Sequence, residues 1–216
     1  MDTKQFLINE LNKKISDNTD MSQHLLDVCD SFYQKPAHNL DQLKMRNKKI
    51  KGDLFEYFTQ LYMKHCFGLK HVWLLSEIPD DVKSKLNLSH RDFGIDLVGV
   101  DNDDNYYAIQ SKFKKRNKKK IGLTWKQLST FYALCSRTGP YHKYVVFTTA
   151  DYVSRIGKKT NKDITVNFNN IKKINHFQWI DMLNTNLNKN NDNNKVPDVD
   201  LNELREKRLK YYSFNE

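Results

Sequence analysis

Two apolar runs separated by a short polar turn constrain this chain more than any other feature. Residues 95–100 read Ile-Asp-Leu-Val-Gly-Val, residues 106–113 read Tyr-Tyr-Ala-Ile-Gln-Ser-Lys-Phe, and Asp101 to Asn105 lie between them. Runs of this kind, bounded by an Asp/Asn turn, are strands, and their closeness makes them a hairpin. If Val100 faces Tyr106, the same register sets Asp96 opposite Gln110. Opposed residues carry Cβ atoms about 4.5–5.5 Å apart. Side chains two apart on a strand share a face, so Gln110 and Lys112 point the same way. A carboxylate, an amide oxygen and an ammonium then converge, a set able to hold a hard divalent cation beside an activated water.

The elements around the hairpin follow from periodicity. Ile50, Leu54, Phe58, Leu61 and Tyr62 form one arc at helical spacing and predict a helix from about Arg46 to Cys66. Glu56 lies outside that arc, one turn from Gly52, which leaves open space beside it. Periodicity alone reads Glu56 as an exposed helix residue. His71 to Ile78 reads as a strand burying Val72, Trp73, Leu74 and Leu75. After the hairpin, Thr124 and Gln127 stand as a capping box, and Leu128, Phe131, Tyr132 and Cys135 continue at helical spacing until Gly139 and Pro140. Tyr144 to Thr148 is a continuous apolar run, as in a strand covered on both faces. Ile164 to Phe168 is a shorter strand candidate and Phe177 to Leu183 a last helix. Strand, helix, strand at this spacing means a crossover and a parallel pair. The fold class is therefore α/β, an antiparallel hairpin feeding a partly parallel sheet with helices on both sides.

Three regions are expected: an N-terminal helical annex at 1–44, closed by Pro36; a main domain at 45–183; and an Asn-rich linker with a charged tail at 184–216. The linker is too poor in apolar residues to order itself. The net charge is +10 and the pI about 9.3, a balance that favours polyanions, nucleic acid before an anionic membrane. The charge is concentrated where it matters: Lys112, Lys114, Lys115, Arg116, Lys118, Lys119 and Lys120 follow the polar cluster directly. Cys29, Cys66 and Cys135 are sparse and far apart, which gives neither a disulfide framework nor a zinc signature. No secretory signal and no membrane-length apolar run is evident, so a soluble, intracellular protein, cytoplasmic or nucleoid-associated, is expected.

Phosphodiester cleavage needs a cation at the scissile phosphate, a deprotonated and aimed water, and a grip on the substrate backbone. Asp96 offers an anionic ligand, Gln110 a neutral oxygen, and the Ser111 carbonyl a third donor between them. Lys112 can orient the water or stabilise phosphate charge, and Glu56 would complete the shell if its helix packs beside the hairpin. Asp, Gln and Lys also occur together by accident on wet hairpin faces. Two features weigh against accident. Ile95, Leu97, Val98 and Ile109 make this a central strand pair, where a carboxylate needs a partner. Gly94 and Gly99 also bracket Asp96, and strand glycines mark close approach by a ligand or a backbone.

Other chemistries fit poorly. Arg155 to Thr160 lacks the leading glycine and strand of a phosphate-binding loop, the seven histidines show no metal spacing, and no Gly-x-Ser-x-Gly elbow exists. Trp125, Tyr132 and Tyr141 could stack on bases but read better as core or strand-end aromatics.

Asp-Phe-Gly-Ile-Asp at 92–96, Ala-Ile-Gln-Ser-Lys at 108–112 and Lys-Gly-Asp-Leu-Phe-Glu at 51–56 together resemble the PD-(D/E)xK nuclease superfamily. Within it they resemble the Mrr-like branch that uses Gln-x-Lys. The resemblance covers about residues 46–182, with Ile95 in place of the family's proline. It implies a restriction-endonuclease-like mixed sheet of four or five strands flanked by helices. It implies Mg²⁺-dependent DNA cleavage, with Mn²⁺ able to substitute. Asp96, Gln110 and Lys112 carry over as catalytic residues, and Glu56 as the fourth member; Asp92 matches the motif's first aspartate but is not read as a ligand. The basic run after Lys112 becomes a phosphate track on double-stranded DNA. A homodimer, or fusion to a helicase as in restriction-like and viral proteins, is the assembly it implies. A catalytically weak or inactive DNA-binding domain of a larger protein is the rival reading.

Overall fold

In the computed structural model, which describes residues 3–15, 20–31, 40–89, 94–117, 119–154 and 160–184, the hairpin forms the middle of a five-stranded sheet. Three helices come first: α1 (Thr3–Asn12), α2 (Met21–Ser31) and α3 (Leu40–His65). β1 (His71–Leu74) and the short α4 (Asp80–Lys85) lead to β2 (Leu97–Val100) and β3 (Tyr106–Lys112). Then follow β4 (Gly122–Leu123), α5 (Ser129–Cys135), β5 (Lys143–Thr148) and β6 (Tyr152–Val153). β7 (Asp163–Val166), α6 (Phe168–Lys172) and α7 (His176–Asn184) come last.

The sheet order is β1-β2-β3-β5-β7, with β4 and β6 forming a separate pair. β1, β2 and β3 are antiparallel, and β3, β5 and β7 are parallel. Val100 stands opposite Tyr106 and Leu97 opposite Ile109, the register expected from the turn. The parallel step from β3 to β5 runs through α5 and returns Lys112 beside Thr148.

Strand alternation divides the core in two. Leu97, Ile109, Val145 and Phe147 point to the face covered by α3, where they meet Leu54, Phe55 and Phe58. Val98, Ala108 and Val146 point to the other face and meet Val82, Leu128 and Phe131. Val145 to Thr148 are all buried because β5 has a neighbour on each side and cover on each face. The N-terminal helices, expected as an annex, supply Leu7, Leu11, Leu25 and Cys29 to the same cluster as α3.

Several elements differ from the sequence reading. The polar run after Pro79, expected as a loop, turns as α4, and the strand expected from Ile164 to Phe168 ends at Val166, with Phe168 opening α6. The α3 helix starts at Leu40, because residues 40–46 contain neither Gly nor Pro and several strong helix formers. β1 ends at Leu74, and Leu75–Glu77 turn in a 3₁₀ helix. As an edge strand β1 leaves Trp73, Leu74 and Leu75 half-buried. Gln127 does reach back, accepting the Thr124 N–H at 3.1 Å. The bond closes a 3₁₀ turn, Trp125–Gln127, and α5 begins only at Ser129. Pro36, Asp92, Lys118, most of the 155–160 stretch and the expected linker and tail after 184 lie outside the described residues.

Candidate active site

Asp96 sits where β2 begins, and the ladder is distorted there. Its N–H donates to the Ile109 carbonyl at 3.0 Å, although the register partner of Ile109 is Leu97. Two residues of one strand thus face one residue of the other, which is the geometry of a β-bulge. On the opposite side the Asp96 carbonyl accepts the Leu75 N–H at 3.0 Å. The bulge turns the carboxylate along the edge of β3. Its Oδ2 accepts the Ser111 N–H at 2.7 Å and an N–H of the Gln110 amide. Asp96 is 8 % and Gln110 2 % exposed, so these bonds replace the hydration that a buried carboxylate and amide lose.

Gln110 and Lys112 share the face of β3 that carries Ala108, and Lys112 is half-buried at the strand's end. Its carbonyl accepts the Thr148 hydroxyl at 2.7 Å, which pins the end of β3 to β5. Ser111 points its side chain to the opposite face, where its hydroxyl is 2.9 Å from that of Thr59 on α3. On a strand a residue's N–H and C=O emerge on the same edge. The Ser111 peptide therefore faces the Asp96 side, away from β5.

Glu56 lies on α3, half-buried, one turn before Thr59 and Gln60. Thr59 marks the level of Ser111, and Phe55 stacks edge-on with Phe113 at 5.5 Å. The Gln60 amide bonds the Val72 carbonyl of β1 at 2.8 Å. Glu56 is thus at the level of the end of β3, on the stripe of α3 that runs toward β1 and β2, but α3 covers the face of the sheet opposite the one that carries Gln110 and Lys112. A Cβ added at Gly52 meets nothing within 4 Å, so the space beside Glu56 is open. The two glycines that bracket Asp96 serve packing. Gly94, at φ +115°, meets the α5 backbone, where the Phe131 nitrogen is 3.3 Å from an added Cβ. Gly99 makes room for Leu69.

The basic segment after β3 is fastened to the end of β5. Lys114 and Thr149 exchange two bonds, of 2.6 and 2.8 Å. Arg116, expected as a phosphate contact, is committed to the protein itself. Its guanidinium donates to the Thr149 carbonyl at 2.9 Å and to Asp151 at 2.8 Å, and lies 4.1 Å from the Phe168 ring centre. Asp151 also accepts the Ile121 N–H at 2.8 Å. That bond and Arg116 hold its carboxyl below the usual carboxylate range. Lys115, Lys119 and Lys120 are exposed, with Lys115 lying 3.9 Å from Asp30 of α2. The sequence reading missed Asp151; an acid just after a buried strand in a lysine-rich chain is the signal that marks it.

The aromatics divide as expected in part. Tyr141 is buried. Trp125 and Tyr132 are half-buried and stack on each other at 4.8 Å. All three cysteines are free, and burial pushes each thiol up to about 12, so none is a ready thiolate. Among the described residues no three His, Cys, Asp or Glu side chains gather as a metal site. The donors at Asp96 are of another kind, a carboxylate, an amide and a peptide carbonyl. All are hard oxygen donors once the Gln110 amide is turned over, a set whose chemistry fits Mg²⁺ better than a softer ion.

A mixed sheet flanked by helices, with an acid at the head of one hairpin strand and Gln-x-Lys on the other, defines a restriction-endonuclease-like fold. A family model described as restriction endonuclease matches residues 63–191. That is more than half of the chain, which belongs to this family, on the Mrr-like side of the PD-(D/E)xK superfamily. The match includes Asp96, Gln110 and Lys112 and begins after Glu56. Among solved structures, the chain is similar to the ATP-dependent Type ISP restriction-modification enzyme LlaBIII bound to DNA. The identity is 22 % over 60 % of this chain and 8 % of that one, with a TM-score of 0.43. It is also similar to the pre-specific restriction endonuclease BsaWI in a DNA complex, at 12 % identity over 87 % of this chain and 96 % of that one, with a TM-score of 0.26. This chain therefore spans under a tenth of the length of LlaBIII. No curated protein sequence matches it significantly. No helix among the described residues is long and apolar enough to cross a membrane.

Proposed function

We propose that this chain is a divalent-cation-dependent endonuclease domain that hydrolyses phosphodiester bonds of double-stranded DNA. The observation that carries the reading is the Asp96 carboxylate held against Gln110 and the Ser111 peptide at the head of the hairpin. Asp96, the Gln110 amide oxygen and the Ser111 carbonyl would hold the ion, and Glu56, on α3 across the sheet from Gln110 and Lys112, would join them only by reaching round the end of the strands. Mg²⁺, with Mn²⁺ as a substitute, supplies charge neutralisation at the phosphate and a nucleophile at neutral pH. Gln110 must rotate its amide, because it now presents an N–H to Asp96. Lys112 stands on the same face as Gln110 and would steady the attacking water or the developing phosphate charge. Lys114, Lys115, Lys119 and Lys120, with Lys118, would line the backbone path, while Arg116 and Asp151 brace the segment that carries them. Each site cuts one strand, so a double-strand break calls for a second copy or for a motor that brings two chains together.

The test is plasmid nicking with and without Mg²⁺. Asp96→Ala and Lys112→Ala should each abolish cleavage, by at least about a hundredfold, and leave thermal unfolding cooperative. If both variants nick at the wild-type rate, the assignment fails. The neutral Gln110 favours one rival, a domain that binds DNA without cutting it. Tight, cation-independent binding by the wild type with no nicking across a range of salt concentrations would establish that rival.

A further inference from the structure

The end of the sheet that carries Lys112 is bordered by the small sheet of β4 and β6. These strands run parallel, with Gly122 beside Tyr152 and Leu123 beside Val153. Leu123 and Val153 join the second core cluster, so alternation turns Gly122 and Tyr152 outward. Tyr152 is 50 % exposed, and among the large apolar side chains of the described residues only Phe177 is more so. Its ring is nonetheless seated. A Cβ added at Gly122 would fall 2.5 Å from the ring, which lies on the glycine backbone. The strands beneath are tied down: the Asp151 N–H donates to the Ile121 carbonyl and the Ser154 N–H to the Leu123 carbonyl, both at 2.7 Å. Lys114, Lys115, Lys119 and Lys120 lead into β4. Tyr152 follows four residues after Thr148, the register partner of Lys112.

A flat ring on a rigid base, next to a lysine-rich segment and the end of the candidate catalytic strand, matches what single-base stacking on nucleic acid requires. We propose that Tyr152 is a DNA-contact residue whose ring takes the face of a nucleobase while the neighbouring lysines hold the backbone. The proposal rests on the nuclease reading above and names a contact that reading lacks. Gly122 is its seat, since a larger residue there displaces the ring.

Fluorescence anisotropy with labelled single-stranded and duplex DNA, measured over a salt series without Mg²⁺, tests it. Tyr152→Phe should bind as the wild type does. Tyr152→Ala should bind roughly tenfold more weakly, most clearly to single-stranded DNA, where bases are free to stack. The slope of log Kd against log salt should stay unchanged, because no phosphate contact is lost. Gly122→Ala should also weaken binding, with the tyrosine still present. Unchanged affinity in Tyr152→Ala, or a loss that comes entirely from a shallower salt slope, overturns the proposal and leaves the nuclease reading standing. Absence of DNA binding by the wild type at low salt overturns both.

Discussion

At Asp96 a buried carboxylate is held by the Ser111 peptide and the Gln110 amide, both neutral donors. A second carboxylate in place of the Gln110 amide would face the first at hydrogen-bonding distance. Gln110→Glu tests this at nearly constant volume. Two carboxylates at hydrogen-bonding distance hold a shared proton to higher pH than either alone. The folded pair then binds more protons than the unfolded chain, so its contribution to stability falls as pH rises through the range of about 4 to 7. A divalent cation removes the repulsion. Gln110→Glu should therefore melt below the wild type at neutral pH, with a gap that widens on raising pH and narrows on adding Mg²⁺. Thermal midpoints over a pH series, with and without Mg²⁺, are the measurement. A variant whose midpoint tracks the wild type under all these conditions would show that the introduced carboxylate and Asp96 do not face each other.

The element that depends most on remote contacts is the basic segment between β3 and β4. It has few apolar residues of its own and is held by Thr149 and Asp151, which follow β5 directly. The Ile121 N–H and Arg116 keep the Asp151 carboxyl below its ordinary value of 3.8. A depressed carboxylate stabilises the fold above the unfolded value and loses that contribution as pH falls through the folded one. Asp151→Asn should cost about 1 kcal/mol at neutral pH, and its stability should fall less steeply than the wild type's below pH 3.8. His65 acts in an earlier window. Burial lowers its pKa against the pull of Asp181, so it withdraws stability as pH drops below 6.5 in both proteins. Urea unfolding at neutral, mildly acidic and strongly acidic pH separates the two. Equal acid sensitivity of wild type and Asp151→Asn below pH 3.8 would remove Asp151 from this role. The same contrast shows what a sequence can carry. Hairpin register, the apolar run from Tyr144 to Phe147 within β5 and the helical arc of α3 are local patterns, and each is legible. The bulge at Asp96 needs β1 and β3 on either side of it, and Arg116 finds Asp151 thirty-five residues away, so the bulge and the pairing, unlike the placement of Asp151 after a buried strand, are not written in neighbouring residues. Arg116 looked like its lysine neighbours because composition cannot tell a free cation from a paired one.

On the scale of the whole chain, a net charge of +10 sets attraction to polyanions, but only cations free to face a ligand release its counter-ions. In B-DNA each neutralised phosphate contributes about −0.9 to the slope of log affinity against log salt. Lys114, Lys115, Lys119 and Lys120 are the described members of the expected track, whereas Arg116 lies against Asp151 and Phe168. Four contacts give a slope of about −3.6, before any from Lys118 or Lys112. Lys120→Ala should make the slope shallower by about one, with affinity lost evenly across DNA sequences. Arg116→Ala should lower thermal stability and leave the slope within a few tenths of the wild type, since its charge is already neutralised by Asp151. Binding isotherms over a salt series for the three proteins decide the matter. If Arg116→Ala flattens the slope as much as Lys120→Ala, the Asp151 pair opens on DNA, and the guanidinium belongs to the phosphate track after all.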